Sequence, residues 1–258
     1  MALTRRYEEA EPQRVNRWLA QSGVCSRREA EALIAAGKVR IDGETVTDPG
    51  RKIAPGQTLT LDDRAESAGR FSVVFHKPVG VVSAQPDPGQ IPAVRMITPQ
   101  GQWGGGAPIP IPDLEGGIAP LGRLDMDSRG LLLLSQDGVL AKAVIGPRSM
   151  IDKEYEVRTT GQVDQGKLAL LRHGLTLDGR RLKPAKVRRT GDQTLNIILT
   201  EGRNRQIRRM CDLVGLKVTD LLRVRIGPLS LGDLPEGRWR VLAPEEREAL
   251  IRGSEGRT

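Results

Sequence analysis

Gly122-Arg123-Leu124-Asp125-Met126-Asp127-Ser128-Arg129-Gly130, running straight into Leu131-Leu132-Leu133-Leu134, is the stretch on which the reading of this chain turns. A short, uniformly apolar run with turn residues on its flanks suits a buried strand. Two carboxylates and two guanidiniums crowded between glycines just ahead of it form a strand-anchored loop, the kind of place where reactive groups are presented. Taken alone, the same residues also describe a salt-bridged turn.

Working outward, Phe71 to Phe75 is a second buried-strand candidate, ending at His76-Lys77-Pro78-Val79-Gly80. The Pro/Gly-rich segment from about Pro86 to Gly117 has no periodicity and is expected to be a mobile loop. Downstream, Gly138 to Ile145 reads as a helix, and Tyr155 to Arg158 and Leu195 to Leu199 as strands. In Glu201-Gly202-Arg203-Asn204-Arg205-Gln206-Ile207-Arg208-Arg209-Met210-Cys211 an irregular start gives way to Ile207, Met210, Cys211 and Val214 at helical spacing, with a stop at Gly215. Arg205, Arg208 and Arg209 share the opposite face. Such a row can grip phosphates, hold a buried carboxylate, or form a surface stripe neutralised by Asp212. Leu222 to Leu229 follows as a strand able to back the same cleft. Strands and helices mixed without regular alternation argue for an α+β domain, not a doubly wound one.

A smaller module precedes it, from about residue 12 to 62. Val15, Trp18 and Leu19 fall at helical spacing, and Ser26-Arg27-Arg28-Glu29 is a capping box opening a second helix that buries Ala30, Leu33 and Ile34 and stops at Gly37. Val39 to Ile41 and Glu44 to Val46 flank Asp42-Gly43, a two-residue hairpin signal, and a strand at Thr58 to Leu61 follows. Arg14, Arg17, Arg27, Arg28, Lys38 and Arg40 are concentrated on this module, either as an RNA-binding surface or as a solvated face. The polar residues 63–70 read as a linker, and 71–248 as the second domain.

With 258 residues, 38% of them hydrophobic, the chain can bury one sizeable core and a small satellite. Forty Lys and Arg against 32 Asp and Glu leave a net charge of +8, with Arg far more frequent than Lys, which favours a polyanionic partner. No apolar run approaches the ~20 residues that span a bilayer, and the N-terminus lacks a secretory pattern, so a cytoplasmic protein without membrane contact is expected. Cys25 and Cys211 lie far apart, and His76 and His173 are not spaced with them as metal ligands, so no metal and no organic cofactor are expected. Aromatics make up only 3% of the chain, which disfavours a platform that stacks successive bases.

The order helix, capped basic helix, then Gly37-Lys38-Val39-Arg40-Ile41-Asp42-Gly43 resembles the S4 RNA-binding domain. His76 to Gly80, Gly122 to Asp125, Lys153-Glu154-Tyr155 and Gly202 to Met210, in that order behind an S4-like domain, resemble the RsuA-type pseudouridine synthases, single-site enzymes of ribosomal RNA. The stretch Gln206 to Cys211 is most like that of members acting on large-subunit 23S RNA. The resemblance implies a small S4-like domain ahead of a catalytic domain with a mixed, largely antiparallel sheet flanked by helices, acting as a monomer on ribosomal RNA. It implies that Asp125 is the essential aspartate, Tyr155 stacks on the target base, Arg208 pairs with the aspartate, and Arg123 helps hold the flipped-out nucleotide. Lys153, Arg203, Arg205 and Arg209 join the RNA-binding set. Isomerisation needs a carboxylate near sugar and base. Whether Asp125 attacks C1′, attacks C6 or deprotonates the sugar stays open, as does a packing role for Tyr155. The competing reading is a non-catalytic ribosome-associated RNA-binding or assembly factor, which loss of the aspartate or tyrosine would favour; both are present. A tyrosyl-tRNA synthetase lacks its nucleotide motifs here, and the helix pair gives little support to a double-stranded-DNA reader.

Overall fold

The computed structural model describes residues 3–22, 24–25, 27–61, 71–104, 109–111, 118–147 and 149–254; the side chains of Arg28 and Glu29 also fall outside the described set. The chain divides into two units, Met1–Phe71 with Gln136–Lys142, and Ser72–Ser135 with Ala143–Thr258.

The first unit contains β1 (Leu3–Arg6), β2 (Gln13–Arg14), α1 (Val15–Gln21), α2 (Arg27–Ala35), β3 (Val39–Ile41), β4 (Glu44–Thr45), β5 (Lys52–Ile53) and β6 (Thr58–Leu61). The helical spacing of Val15, Trp18 and Leu19 carries all three into a core shared with Ala30 and Ile34. Asp42 and Gly43 both adopt positive φ, 49° and 88°, as a two-residue hairpin turn between twisted strands requires. Residues ahead of position 12 belong to this unit too. β1 pairs along its length with β6, at the edge of a sheet ordered β1-β6-β3-β4, and Tyr7 is buried with its ring edge-on to Trp18 at 5.4 Å. Leu3-Thr4-Arg5-Arg6 shows neither an apolar stripe nor a turn signal, because only its pairing edge is used. The Ser26 and Glu29 capping box and the 63–70 linker lie outside the described residues.

The second unit contains β7 (Ser72–Lys77), β8 (Val81–Val82), β9 (Ile91–Pro92), β10 (Ala119–Pro120), β11 (Arg129–Ser135), β12 (Lys153–Thr160), α4 (Gln165–His173), β13 (Thr176–Leu177), β14 (Arg180–Arg181), β15 (Lys186–Gly191), β16 (Thr194–Leu199), α5 (Gln206–Leu213), β17 (Lys217–Ile226), β18 (Leu229–Ser230), β19 (Trp239–Val241) and α6 (Pro244–Gly253); α3 (Gly138–Ile145) draws residues from both sets. Its main sheet runs β15-β16-β12-β17-β11-β7-β19, with β10 and β18 attached. Among its described strand pairs only β11 with β17 is parallel, so the sheet is mixed and largely antiparallel, an α+β arrangement. Leu131 to Leu134 are all buried because β11 is covered on both faces, and this removes the alternation a half-exposed strand would show. β16 does alternate. Leu195, Ile197 and Leu199 enter one core with Leu168 and Leu171 of α4 and Ile207, Met210 and Cys211 of α5. Burial pushes the Cys211 thiol up to about 12, so it is a core residue and not a reactive one.

The Pro/Gly-rich insert departs from expectation. Its described part is fastened to β19: the Trp239 indole Nε1 donates to Thr98 O at 2.8 Å, Trp103 N donates to Trp239 O at 2.8 Å, the 3-10 turn Pro99–Gly101 lies between these two anchors, and a second, Ala93–Met96, precedes them. A segment without periodicity is held here by one fully buried aromatic from more than 100 residues away, which no local pattern records. Residues 105–108 and 112–117 of the insert lie outside the described set. α6 extends to Gly253, past the expected limit at 248. Among the described residues no helix is long and apolar enough to cross a membrane.

Candidate active site

The loop entering β11 has each backbone carbonyl from Gly122 to Asp127 hydrogen-bonded. Arg223 donates from Nη2 to Gly122 O at 3.2 Å and from Nη1 to Arg123 O at 3.4 Å. Ser83 Oγ donates to Leu124 O at 2.7 Å, and Leu124 N donates back to the same hydroxyl oxygen at 2.9 Å. Asp125 O accepts from Ser128 N at 3.1 Å, Met126 O from Gly80 N at 2.8 Å, and Asp127 O from Arg208 Nη2 at 2.6 Å. The donors come from β17, from the segment after β7, from the loop's own turn, and from α5.

Two close approaches fix this frame. Gly130 has φ 111°, and a Cβ on it would lie 2.4 Å from Arg223 O, so only glycine allows β11 to run this near β17. In β17 a register shift opposite Glu154 and Tyr155 pairs Tyr155 with Arg223, and Arg223 ends up buried, 2% exposed, its Nε also donating to Leu131 O at 2.7 Å.

The carboxylates divide the arginines unequally. Arg205 takes Asp127 in a bidentate pair, 3.0 and 2.8 Å, and reaches Asp125 Oδ2 at only 3.6 Å. Arg208 does not pair with Asp125 as expected. Its Nε lies 3.3 Å from Asp127 Oδ2, outside hydrogen-bond alignment, while its Nη groups go to Asp127 O, Ser128 Oγ and Val218 O. The difference arises because Arg208 is one turn into α5, level with the loop backbone, whereas Arg205, at the left-handed residue preceding the helix, projects toward the carboxylates. The Arg205 hydrogen bonds hold the Asp127 carboxyl below its usual range, and the pair raises Arg205 in turn.

Three further cations lie close by and donate to backbone carbonyls. Lys77, fully buried, donates to Pro78 O at 2.9 Å and Val81 O at 2.7 Å. Burial lowers its ammonium to about 8, against the upward pull of Asp125 and Asp127. Lys153 donates to Ile151 O at 2.9 Å, and burial lowers it as well, followed by the charge of Arg223. Arg223 is the third.

A cavity of about 400 Å³ opens within this unit, walled by Asp125, Tyr155, Lys153, Arg205, Arg208 and Arg223 among others. Asp125 and Tyr155 are both half-buried, and Tyr155 packs against the core below. Arg123 also lines the cavity, and it is exposed. Arg203 lines it too, but its guanidinium is spent on Leu177 O, Arg180 O and Arg181 O, and Arg209 forms a bidentate pair with Asp178 at 3.0 and 2.6 Å. These two arginines clasp the β13 to β14 hairpin to α5. In the first unit Arg14, Arg17, Arg27, Lys38 and Arg40 are all exposed, with Lys38 and Arg40 outward on either side of buried Val39; the Arg28 side chain lies outside the described set.

Residues 13–59 match the S4 domain family and residues 72–213 the RNA pseudouridylate synthase family. The chain belongs to the RNA pseudouridylate synthase family. It is 36% identical over 247 residues to "Ribosomal large subunit pseudouridine synthase B" of Salmonella typhi, covering 89% of this chain and 79% of that protein. To the "Dual-specificity RNA pseudouridine synthase RluF" of the same organism it is 32% identical over 94% of this chain and 80% of the other. An "Uncharacterized RNA pseudouridine synthase" of Aquifex aeolicus is 34% identical over 93% of this chain and 94% of its own length. A solved pseudouridylate synthase superposes with a TM-score of 0.64 at 27% identity, over 92% of this chain and 99% of that one. This pseudouridine synthase is therefore an isomerase, with an S4 domain ahead of its catalytic unit. Three of the residues that support the site have no role legible in the sequence. Lys77 lies inside the His76 to Gly80 motif, Arg223 inside the strand candidate from Leu222 to Leu229, and Ser83 in no motif at all. The available signal was Arg223, a charge between the apolar Leu222 and Val224 in the strand that pairs in parallel with β11.

Proposed function

We propose that this enzyme isomerises one uridine of large-subunit 23S ribosomal RNA to pseudouridine, with Asp125 as the reacting carboxylate. The observation that carries the reading is the Asp125 loop, bonded on six consecutive carbonyls and opening into a cavity shared with Tyr155 and several cations. The names of the 36% and 32% identical relatives support the substrate class. In the reaction the N1–C1′ bond breaks, the uracil turns, and a C5–C1′ bond forms as C5 loses its proton and N1 gains one. Asp125 serves either by attacking C1′ or C6 or by removing a sugar proton. Tyr155 stacks on the extruded base, Arg205 and Arg208 hold the acidic loop, and Arg123 and Lys153 meet the RNA backbone.

Residues 12–62 serve as the module that grips RNA through Arg14, Arg17, Arg27, Arg28, Lys38 and Arg40, and 71–248 as the catalytic domain, in a monomeric cytoplasmic protein. The pairings of Arg203 and Arg209 favour hairpin support over RNA contact for those two. No step requires a metal or organic cofactor, and activity is expected to survive exhaustive dialysis against chelator. The test is tritium release from 5-[³H]uridine-labelled ribosomal RNA, with carbodiimide and primer-extension mapping in cells with and without the gene. Release together with one mapped position in 23S RNA that disappears with the gene supports the proposal. RNA binding without any release points to an assembly factor instead.

A further inference from the structure

We propose that Ser83 is a positioning residue for the isomerisation: its hydroxyl, by bonding both the N–H and the C=O of Leu124, sets where the Asp125 carboxylate stands. The proposal rests on the reading of Asp125 as the reacting group. A serine hydroxyl is one donor with acceptor lone pairs, and here both capacities are used on a single residue, 2.7 Å to Leu124 O and 2.9 Å from Leu124 N. None of the other loop carbonyls shares its partner atom with the N–H of its own residue. At Leu124, the residue before Asp125, both polar groups depend on one atom.

That atom is itself well anchored. Ser83 follows directly on β8 and is 6% exposed, and the turn leading into β8 is drawn together by Lys77, which donates to both Pro78 O and Val81 O. From the same segment Gly80 N donates to Met126 O at 2.8 Å. The segment after β7 thus clamps the loop at 124 and at 126, on either side of Asp125. Ser83 is not part of the cavity wall, whereas Leu124 and Asp125 are. Its effect on the reaction therefore passes through the backbone.

Without the hydroxyl, the N–H and C=O of Leu124, a residue only 6% exposed, lose their partners, and the peptide must rotate or shift to regain them. A displacement of about 1 Å at a reacting group costs on the order of 100-fold in rate. Binding of the RNA, made by exposed cations elsewhere, is untouched.

The experiment is single-turnover tritium release by the full chain at saturating RNA, with KM, RNA Kd and melting temperature measured alongside. Ser83→Ala is expected to lower the rate by about 10- to 100-fold with KM and Kd within about twofold. Ser83→Cys, which keeps the shape but supplies a weak donor and acceptor, is expected to follow Ala. Ser72→Ala provides the comparison for a purely structural loss, since Ser72 Oγ shares a 2.6 Å hydrogen bond with Ser135 Oγ, equally buried in the same unit but away from the cavity. It should keep the wild-type rate. The proposal is overturned if Ser83→Ala or Ser83→Cys turns over at the wild-type rate, if the change falls on KM, or if Ser72→Ala loses as much rate for the same loss of melting temperature. A wild-type protein that releases no tritium, or an active Asp125→Asn, refutes the functional reading instead, so the two failures are distinguishable.

Discussion

Replacing Asp125 by asparagine separates chemistry from structure unusually well, because the carboxylate contributes almost nothing to holding its own loop. Its one ion contact is Arg205 at 3.6 Å, with the aspartate side chain 31% exposed, a geometry worth no more than about 1 kcal/mol. The loop is fastened through backbone carbonyls instead, and asparagine leaves all of these bonds in place. Folding and RNA affinity should therefore survive. The chemistry should not, since an amide oxygen carries no charge with which to attack C1′ or C6 or to remove a sugar proton. Positioned general bases alone contribute on the order of 10²- to 10⁴-fold, and a covalent step adds to this. A loss of at least about 10³-fold is expected, or roughly 4 kcal/mol of barrier. The assay is tritium release at saturating RNA, with filter binding and thermal melting on the same preparations. Asp127→Asn is the comparison: that side chain is 45% exposed and its side-chain partners are the arginines Arg205 and Arg208, so a loss of less than about tenfold is expected. Release by Asp125→Asn within tenfold of wild type, or an inactive Asp127→Asn beside it, would refute the reasoning.

Gly130→Ala should destabilise the fold by about 3 kcal/mol or more and abolish turnover, because φ is 111° and the new Cβ would meet Arg223 O at 2.4 Å; a melting temperature within a few degrees of wild type would contradict this. Lys77→Met tests the buried ammonium. The folded-state value, about 8, lies below the ordinary 10.5, so the folded state gives up its proton first and is relieved of the buried charge as pH rises from 8 to 10.5. Across that window wild type should gain about 2 to 4 kcal/mol relative to Lys77→Met in urea titrations, and a difference independent of pH would remove the buried-charge account. Arg17→Ala, Lys38→Ala and Arg40→Ala combined should weaken RNA binding and flatten its salt dependence by up to about one logarithmic unit for each phosphate no longer neutralised. An unchanged slope would take the S4 surface out of the binding reaction.

What can be read from the sequence, and what cannot, follows the range of the interactions. α1, α3, α5, β11 and the Asp42-Gly43 hairpin are set by local period, turn chemistry and apolar runs, and they lie where the pattern puts them, within a residue or two at their ends. The insert escapes such a reading because its anchor is Trp239, 141 residues from Thr98. The arginines show the same limit. That Arg205, Arg208 and Arg209 share a helix face is legible, but their partners are Asp127, the loop backbone and Asp178, set by the fold and not by the helix. Arg223 is the clearest case. Taking Leu222 and Val224 as the inward pair puts the arginine outside, yet Arg223 is buried in step with Leu221, and a register shift follows it opposite Glu154 and Tyr155. A bulge is decided by the neighbouring strand, so no pattern within β17 reports it.

The division of arginines between Asp125 and Asp127 bears on how the proposed carboxylate stays reactive. A carboxylate gripped by a bidentate guanidinium has its lone pairs occupied and its charge compensated, which makes it a stable anion and a poor nucleophile or base. Asp127 receives the short bonds from Arg205 and the 3.3 Å approach of Arg208, while Asp125 is left with one contact at 3.6 Å. Arg205 is thus held near Asp125 by a different anion, too far to occupy the oxygens proposed to react. The nearby cations Lys77 and Arg223 are saturated by backbone carbonyls, so neither side chain can collapse onto the aspartate. On this arrangement the modest loss expected of Asp127→Asn has a particular form. Arg205, released from its bidentate pair, closes on Asp125, so the defect should appear in the rate at saturating RNA and not in KM, and Asp127→Asn combined with Arg205→Ala should be faster than Asp127→Asn alone. A double variant slower than the single one would show that Arg205 is needed at Asp125 directly.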